Sequence, residues 1–209
     1  MSEDKKVTRK KIEATGRCKK LLADHFYELD EAARTGGRKI AWNTSVGPAE
    51  LLRGMGFLVY YPENHGALLG ATRMAADLIP YANAIGYSPD ICSYLTSDIG
   101  SYLQKKTPLT PAYGIESVPK PDVLVYNTNQ CREVQDWFAW YARELDVPLI
   151  GVHTHRTIGH IKDYHIKDIA RQMEDLVPAL EAVSGERFDP DRFKEAVDYS
   201  RRTSGLWRA

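Results

Sequence analysis

The chain has 209 residues, 43% of them apolar and 27% charged, which suits a globular protein with one good core. Its 28 basic and 28 acidic residues cancel, so the usual electrostatic footprint of a nucleic-acid binder is missing and no nucleic-acid partner is expected. No apolar run approaches the ~20 residues that span a bilayer. Three cysteines do not make a disulfide framework and the first residues are charged, so the expectation is a cytoplasmic protein without a membrane partner.

Residues 8–35 read as one helix of mixed charge, stopped by Gly36 and Gly37; its basic clusters, from Lys5 to Lys20, read as a solvated face. Residues 39–42 form a strand candidate, and Pro48 then opens a helix that runs to about Met55. Residues 57–60 are the next strand, completing a βαβ unit with parallel strands. Residues 66–85 carry helical apolar spacing, and Ser88 with Pro89 predicts a further helix to about Gln104. Pro108, Pro111, Pro119 and Pro121 make 106–121 an irregular connection. A second βαβ unit follows, with strands at 122–126 and 148–152 around a helix at 132–145. After a loop at 153–160, helices are expected at 161–183 and 190–203.

This alternation predicts an α/β fold: a parallel-sheet, Rossmann- or flavodoxin-like three-layer lobe with an N-terminal helix and C-terminal helices. The expected division is a helical segment at 1–38, the α/β lobe at 39–160, and a helical segment at 161–209 leading toward a second domain. In such sheets ligands collect beyond the carboxyl ends of the strands. Ser45, Glu63-Asn64-His65, Cys131 and His153 all fall there.

Cys92 and Cys131 are the residues that point to chemistry. Each lies where a helix is expected to begin, and unpaired N–H groups at a helix start favour thiolate over thiol. Thiolates are what a metal or an iron–sulfur cluster takes as ligands. The two are too far apart in sequence for a local Cys-x-x-Cys clip, and two ligands fall short of the usual four. Cys18, among Arg17, Lys19 and Lys20, reads as incidental. His153 and His155 are polar loop histidines on the simplest reading; a zinc site with Cys131 is the rival. His65 precedes Gly66, where a ligand can approach the backbone. Gly47-Pro48-Ala49-Glu50 opens a helix after a strand and is a weak candidate for holding a phosphate.

Several segments together resemble the iron–sulfur subunits of the 2-hydroxyacyl-CoA dehydratase and benzoyl-CoA reductase family. They are Trp42-Asn43-Thr44-Ser45-Val46-Gly47-Pro48-Ala49-Glu50-Leu51-Leu52, Tyr61-Pro62-Glu63-Asn64-His65-Gly66-Ala67, Asp90-Ile91-Cys92-Ser93-Tyr94, Asp98-Ile99-Gly100, and Lys120-Pro121-Asp122-Val123-Leu124 leading to Cys131. The resemblance runs from about residue 10 to the end and implies that Cys92 and Cys131 ligate a [4Fe–4S] cluster. A third cysteine comes in that family from a second α/β domain, so the sequence is expected to be part of a longer subunit. Some members add a cysteine at the first strand end, where Asn43-Thr44-Ser45 stands here.

The resemblance further implies a related second subunit and an ATP-hydrolysing activator that delivers one low-potential electron. The electron reaches an acyl-CoA or aromatic CoA thioester and makes a ketyl-type radical, which in dehydratases expels the hydroxyl group. Ser45 and His65 are expected beside the reacting groups and Glu50 behind them. Dehydration and ring reduction stay open, as does a double-cubane cluster reductase. The rival of another class is a non-catalytic module that binds an acyl-CoA or a partner and carries no iron.

Overall fold

The computed structural model describes residues 13–155 and 159–208. Residues 8–12 of the expected first helix, the basic residues before them, and 156–158 of the expected loop lie outside the described residues.

Helix α1 (Glu13–Thr35) leads into strand β1 (Ile40–Asn43), helix α2 (Ala49–Gly54) and strand β2 (Leu58–Tyr60). Helices α3 (Pro62–Ala71), α4 (Ala75–Ala84), α5 (Ser93–Gln104) and the short α6 (Leu109–Tyr113) follow. Strand β3 (Val123–Asn127), helix α7 (Arg132–Leu145) and strand β4 (Leu149–Val152) complete the sheet, and α8 (Asp163–Ser184) and α9 (Pro190–Arg208) end the chain.

All strand pairs are parallel, in the order β2-β1-β3-β4. Alternate side chains point to opposite faces of a strand, so each strand feeds two cores. Ile40, Trp42, Leu58, Tyr60 and Leu124 pack under α1, α5 and α7. Ala41, Val59, Val123 and Val125 pack under α2 and α8. Helices cover both faces, which is why the strands read as unbroken apolar runs. Helix α7 buries Val134, Trp137, Phe138 and Tyr141, one stripe at helical spacing. The α/β three-layer expectation holds, and Leu29 of α1 with Leu176 and Leu180 of α8 joins these same cores.

Three local expectations need correction. The single helix at 66–85 is two helices: Thr72 turns its hydroxyl back onto the Leu68 carbonyl at 2.8 Å, and Arg73 takes φ 62°. Ser88 and Pro89 do not start α5; the Ser88 hydroxyl accepts the Asp90 N–H at 3.1 Å in a separate turn, and the helix begins at Ser93. Within the irregular connection, α6 forms one turn of helix.

The chain steps from β1 to β2 on one side and from β3 to β4 on the other. Sequence order therefore reverses between β1 and β3, the place where open α/β sheets bind ligands. Among the described residues no helix is long and apolar enough to cross a membrane.

Candidate functional site

The loop after β1 and the loop after β3 meet at this reversal. Glu63, in the first turn of α3, holds them together. One carboxylate oxygen accepts the Ser45 N–H at 2.5 Å and the other accepts the Gln130 side-chain amide. The Asn127 amide donates to the Val46 carbonyl at 2.9 Å, and the Asn127 Oδ1 accepts the Asn129 N–H at 2.8 Å. A carboxylate in the first turn of a helix is also favoured by the helix dipole. Ser45 itself is exposed at the rim.

Gly47 packs directly against the Asn43 side chain. A Cβ at this position would stand 2.0 Å from the Asn43 Oδ1. Beneath the loop, Asn43 and Thr44 are fully buried at the end of β1. The Asn43 side chain reaches toward the Tyr61 hydroxyl, and among the described residues the Thr44 hydroxyl has no hydrogen-bond partner. Such groups are costly to bury, so this strand end is polar at the expense of stability.

Cys92 is the N-cap of α5 and Cys131 the N-cap of α7. Both are free thiols; Cys131 is exposed and Cys92 half-buried. The expectation that each cysteine stands at a helix start is met. At Cys131 loss of hydration, the largest influence, pushes the thiol above its ordinary pKa, against the pull of the helix start. The Val134 N–H works against that rise, while Glu133 and the charge of Cys92 add to it. Asp98 accepts the Trp137 indole N–H at 3.1 Å and Tyr102, four residues on, packs edge-on against Tyr141, so α5 and α7 run side by side in the same direction and their cysteine caps lie at the same end. A soft, paired thiol set is what a cationic iron or zinc centre ionises on binding, and two thiolates are half of the four that a cluster takes. Among the described residues no group of three or more His, Cys, Asp or Glu is arranged to hold a metal ion.

The other expected site residues are elsewhere. His65 is not in the loop cluster: it is buried, with Nδ1 against the Asp98 carboxylate at 2.5 Å and Nε2 against the Thr107 hydroxyl at 2.9 Å. Its loop sequence forms the first turns of α3, which turns the ring inward. Glu50 faces α9, where it accepts the Ser200 hydroxyl at 2.5 Å. The Gly47-Pro48 helix start leads only a six-residue helix. His153 meets the Tyr126 hydroxyl at 3.0 Å, and His155 meets Asp168 at 3.0 Å. Among the described residues neither belongs to a group of three or more His, Cys, Asp or Glu side chains arranged to hold a metal ion.

Sequence reasoning missed three functional supports. Glu63 was visible only as a neighbour of His65, and Gln130 only as a polar residue before Cys131. Asp98 has partners 33, 39 and 43 positions away, beyond any local pattern.

The family model described as 2-hydroxyglutaryl-CoA dehydratase, D-component, matches residues 44–209. The chain belongs to that family. The 2-hydroxyglutaryl-CoA dehydratase D-component match thus takes in both cysteine-capped helices and the Glu63 strut. Over 191 residues the chain is 34% identical to the (R)-2-hydroxyisocaproyl-CoA dehydratase alpha subunit of Clostridioides difficile, covering 90% of this chain and 45% of that protein. It is 33% identical over 205 residues to the lactoyl-CoA dehydratase subunit alpha of Anaerotignum propionicum, covering 91% and 48%. A benzoyl-CoA reductase subunit of Thauera aromatica is 23% identical over 187 residues, covering 87% and 42%. The chain spans about half the length of the curated relatives it matches.

Proposed function

We propose that this chain is part of a 2-hydroxyacyl-CoA dehydratase-type subunit in which Cys92 and Cys131 supply two ligands to a [4Fe–4S] cluster. The observation that carries the reading is that both cysteines cap helices at one end of the sheet, in a chain of this family. Such a cluster, when bound, supplies a single low-potential electron for transfer to a CoA thioester. The remaining work belongs to the chain. Cys131, on the open side, and Cys92, half-buried, would hold the cluster from two helices. The helix starts present N–H groups that stabilise negative charge on sulfur. Glu63 keeps the two neighbouring loops from separating, and Ser45 stands on the rim within reach of solvent. Of the three side chains expected to take part in catalysis, Ser45 stands open at the rim, while Glu50 is bonded to Ser200 and His65 to Asp98 and Thr107.

In this reading the chain works in the reducing cytoplasm, beside a related second subunit and an ATP-hydrolysing activator. The names of the relatives favour a 2-hydroxyacyl-CoA over an aromatic thioester. Assays with 2-hydroxyacyl-CoA and benzoyl-CoA, given activator, ATP and a strong reductant, separate these two substrates.

The first test is anaerobic iron and acid-labile sulfide content of the native complex, with Cys131→Ser alongside. Roughly four irons per cluster-bearing subunit, sharply reduced by Cys131→Ser, supports the reading. No iron in a folded, anaerobically prepared complex overturns it and leaves the module that binds CoA thioesters without a cluster.

A further inference from the structure

We infer that Asp98 is a positioning residue that fixes the separation of the two cysteine-capped helix starts. Asp98 is buried in the middle of α5 with its carboxylate fully engaged. Oδ2 accepts the Trp137 indole N–H at 3.1 Å and the Tyr141 hydroxyl at 2.6 Å, both from α7. Oδ1 meets His65 of α3 at 2.5 Å. One carboxylate thus ties three helices, including both that carry a cysteine.

The offsets along the helices give this tie its meaning. Asp98 lies six residues beyond Cys92, and Trp137 lies six residues beyond Cys131. At 1.5 Å rise per residue, the Asp98–Trp137 bond sits about 9 Å from either cap. Equal offsets on two helices that start at the same end hold their caps level. Tyr141 reaches the same oxygen from one turn further on, because helical side chains lean toward the N-terminus. Two donors on one acceptor resist both sliding and rotation of α7 against α5.

Each partner is committed to this arrangement. Burial, then the Asp98 charge, raises Tyr141 well above the ordinary phenol pKa, so its hydroxyl keeps its proton and donates. Thr107 accepts the Leu109 N–H at 3.2 Å and its hydroxyl meets His65 Nε2 at 2.9 Å, so both ring nitrogens of His65 are engaged, the other by Asp98. On its far side α5 is gripped by contact: a Cβ on Gly66 would stand 2.9 Å from Tyr94 Cβ, and one on Gly100 would stand 2.1 Å from the Leu78 carbonyl oxygen. Helix α5 therefore cannot retreat, and the Asp98 bonds set where α7 stands against it. A buried carboxylate is expensive unless fully bonded. A plain apolar contact would hold the core without fixing this register.

The inference rests on the cysteine pair being the site, but its measurement needs no iron. Nitroxide labels go on Cys92 and Cys131 of the metal-free chain in a Cys18→Ser background, and their separation is read from dipolar broadening. Asp98→Asn keeps the size and loses the charge. Leu180→Ala, in the core on the other face of the sheet, is the control for general loss of stability. The expected result is one short, narrow separation in the parent, longer and broader in Asp98→Asn and unchanged in Leu180→Ala. If Asp98→Asn does not fold, Trp137→Phe and Tyr141→Phe each remove one donor and must each broaden the separation. An unchanged separation in the folded variants, or equal broadening in Leu180→Ala, overturns the inference. Iron absent from a parent whose labels behave as expected would sink the cluster reading alone.

Discussion

Replacing Gly100 by alanine should loosen the packing of α5 against α4. Gly100 sits mid-helix, and a Cβ there would stand 2.1 Å from the Leu78 carbonyl oxygen and 2.7 Å from its carbon. Ordinary contact begins at 3.4 Å, so the helices must part by more than an ångström. The obstructing atoms are backbone and cannot rotate aside. Overpacking of this kind costs about 1–3 kcal/mol, and a backbone clash belongs near the upper end. Alanine recovers up to ~1 kcal/mol of helix propensity over glycine, leaving a net loss of about 2 kcal/mol. For a chain of this length that lowers Tm by roughly 4–8 °C. Gly70 in α3 is the counterpart, since a Cβ there meets nothing within 4 Å. Gly70→Ala should stabilise by about 0.5–1 kcal/mol. Thermal melts followed by circular dichroism, with urea midpoints at an unchanged slope, measure both. A Gly100→Ala protein as stable as its parent would refute the packing argument, whatever Gly70→Ala does.

Glu63→Ala removes the acceptor shared by the Ser45 N–H and the Gln130 amide, and should cost about 1–2 kcal/mol. Amide exchange at Ser45 should quicken ahead of its neighbours, and Glu63→Gln, which keeps an acceptor, should fall in between; equal exchange in all three would dismiss the strut. His25 gives a pH dependence. Burial, its largest influence, lowers its pKa below the usual 6.5, against the pull of the Val59 carbonyl at 3.1 Å. Between the folded and unfolded values the unfolded chain binds more protons, so stability is complete above pH 6.5 and declines as pH falls below it. His25→Gln should flatten that decline, and an NMR titration of the ring at or above 6.5 would contradict the sign.

The sheet and its flanking helices were legible because each boundary carried local chemistry. Gly36-Gly37 closes α1, Pro48 precedes α2, and the apolar stripe of α7 has a period that only a helix explains. The strand before it placed Cys131 at a helix start, while Cys92 was placed by a Ser88-Pro89 start that the structure moves on to Ser93. The break between α3 and α4 carried no such signal, because Arg73 occupies a left-handed backbone position where glycine would have given notice. Ser88 and Pro89 resembled a helix start, yet the serine hydroxyl had a nearer N–H to accept. Within the site the difficulty was distance. The identity of His65 suggested reactivity, but its role is set by Asp98 and Thr107, which the fold brings in from 33 and 42 positions away.

The seam between β1 and β3 also bears on how the molecule assembles. The Asp122 carboxylate, just ahead of β3, receives the Ile40 N–H at 2.8 Å across 82 positions of chain. No hairpin can start such a pairing, and all of α2 to α6 must be looped out before its first ladder bond forms. Loop closure over that span adds only ~0.6 kcal/mol per doubling of length. Its effect falls on rate, because non-local pairings come late in folding. The loops bearing Ser45 and Cys131 hang from the two strands of this seam, so the site takes shape only as it closes. A fault there, such as Asp122→Ala, should show as delayed recovery of tertiary signal in stopped-flow refolding, with helix content returning on time.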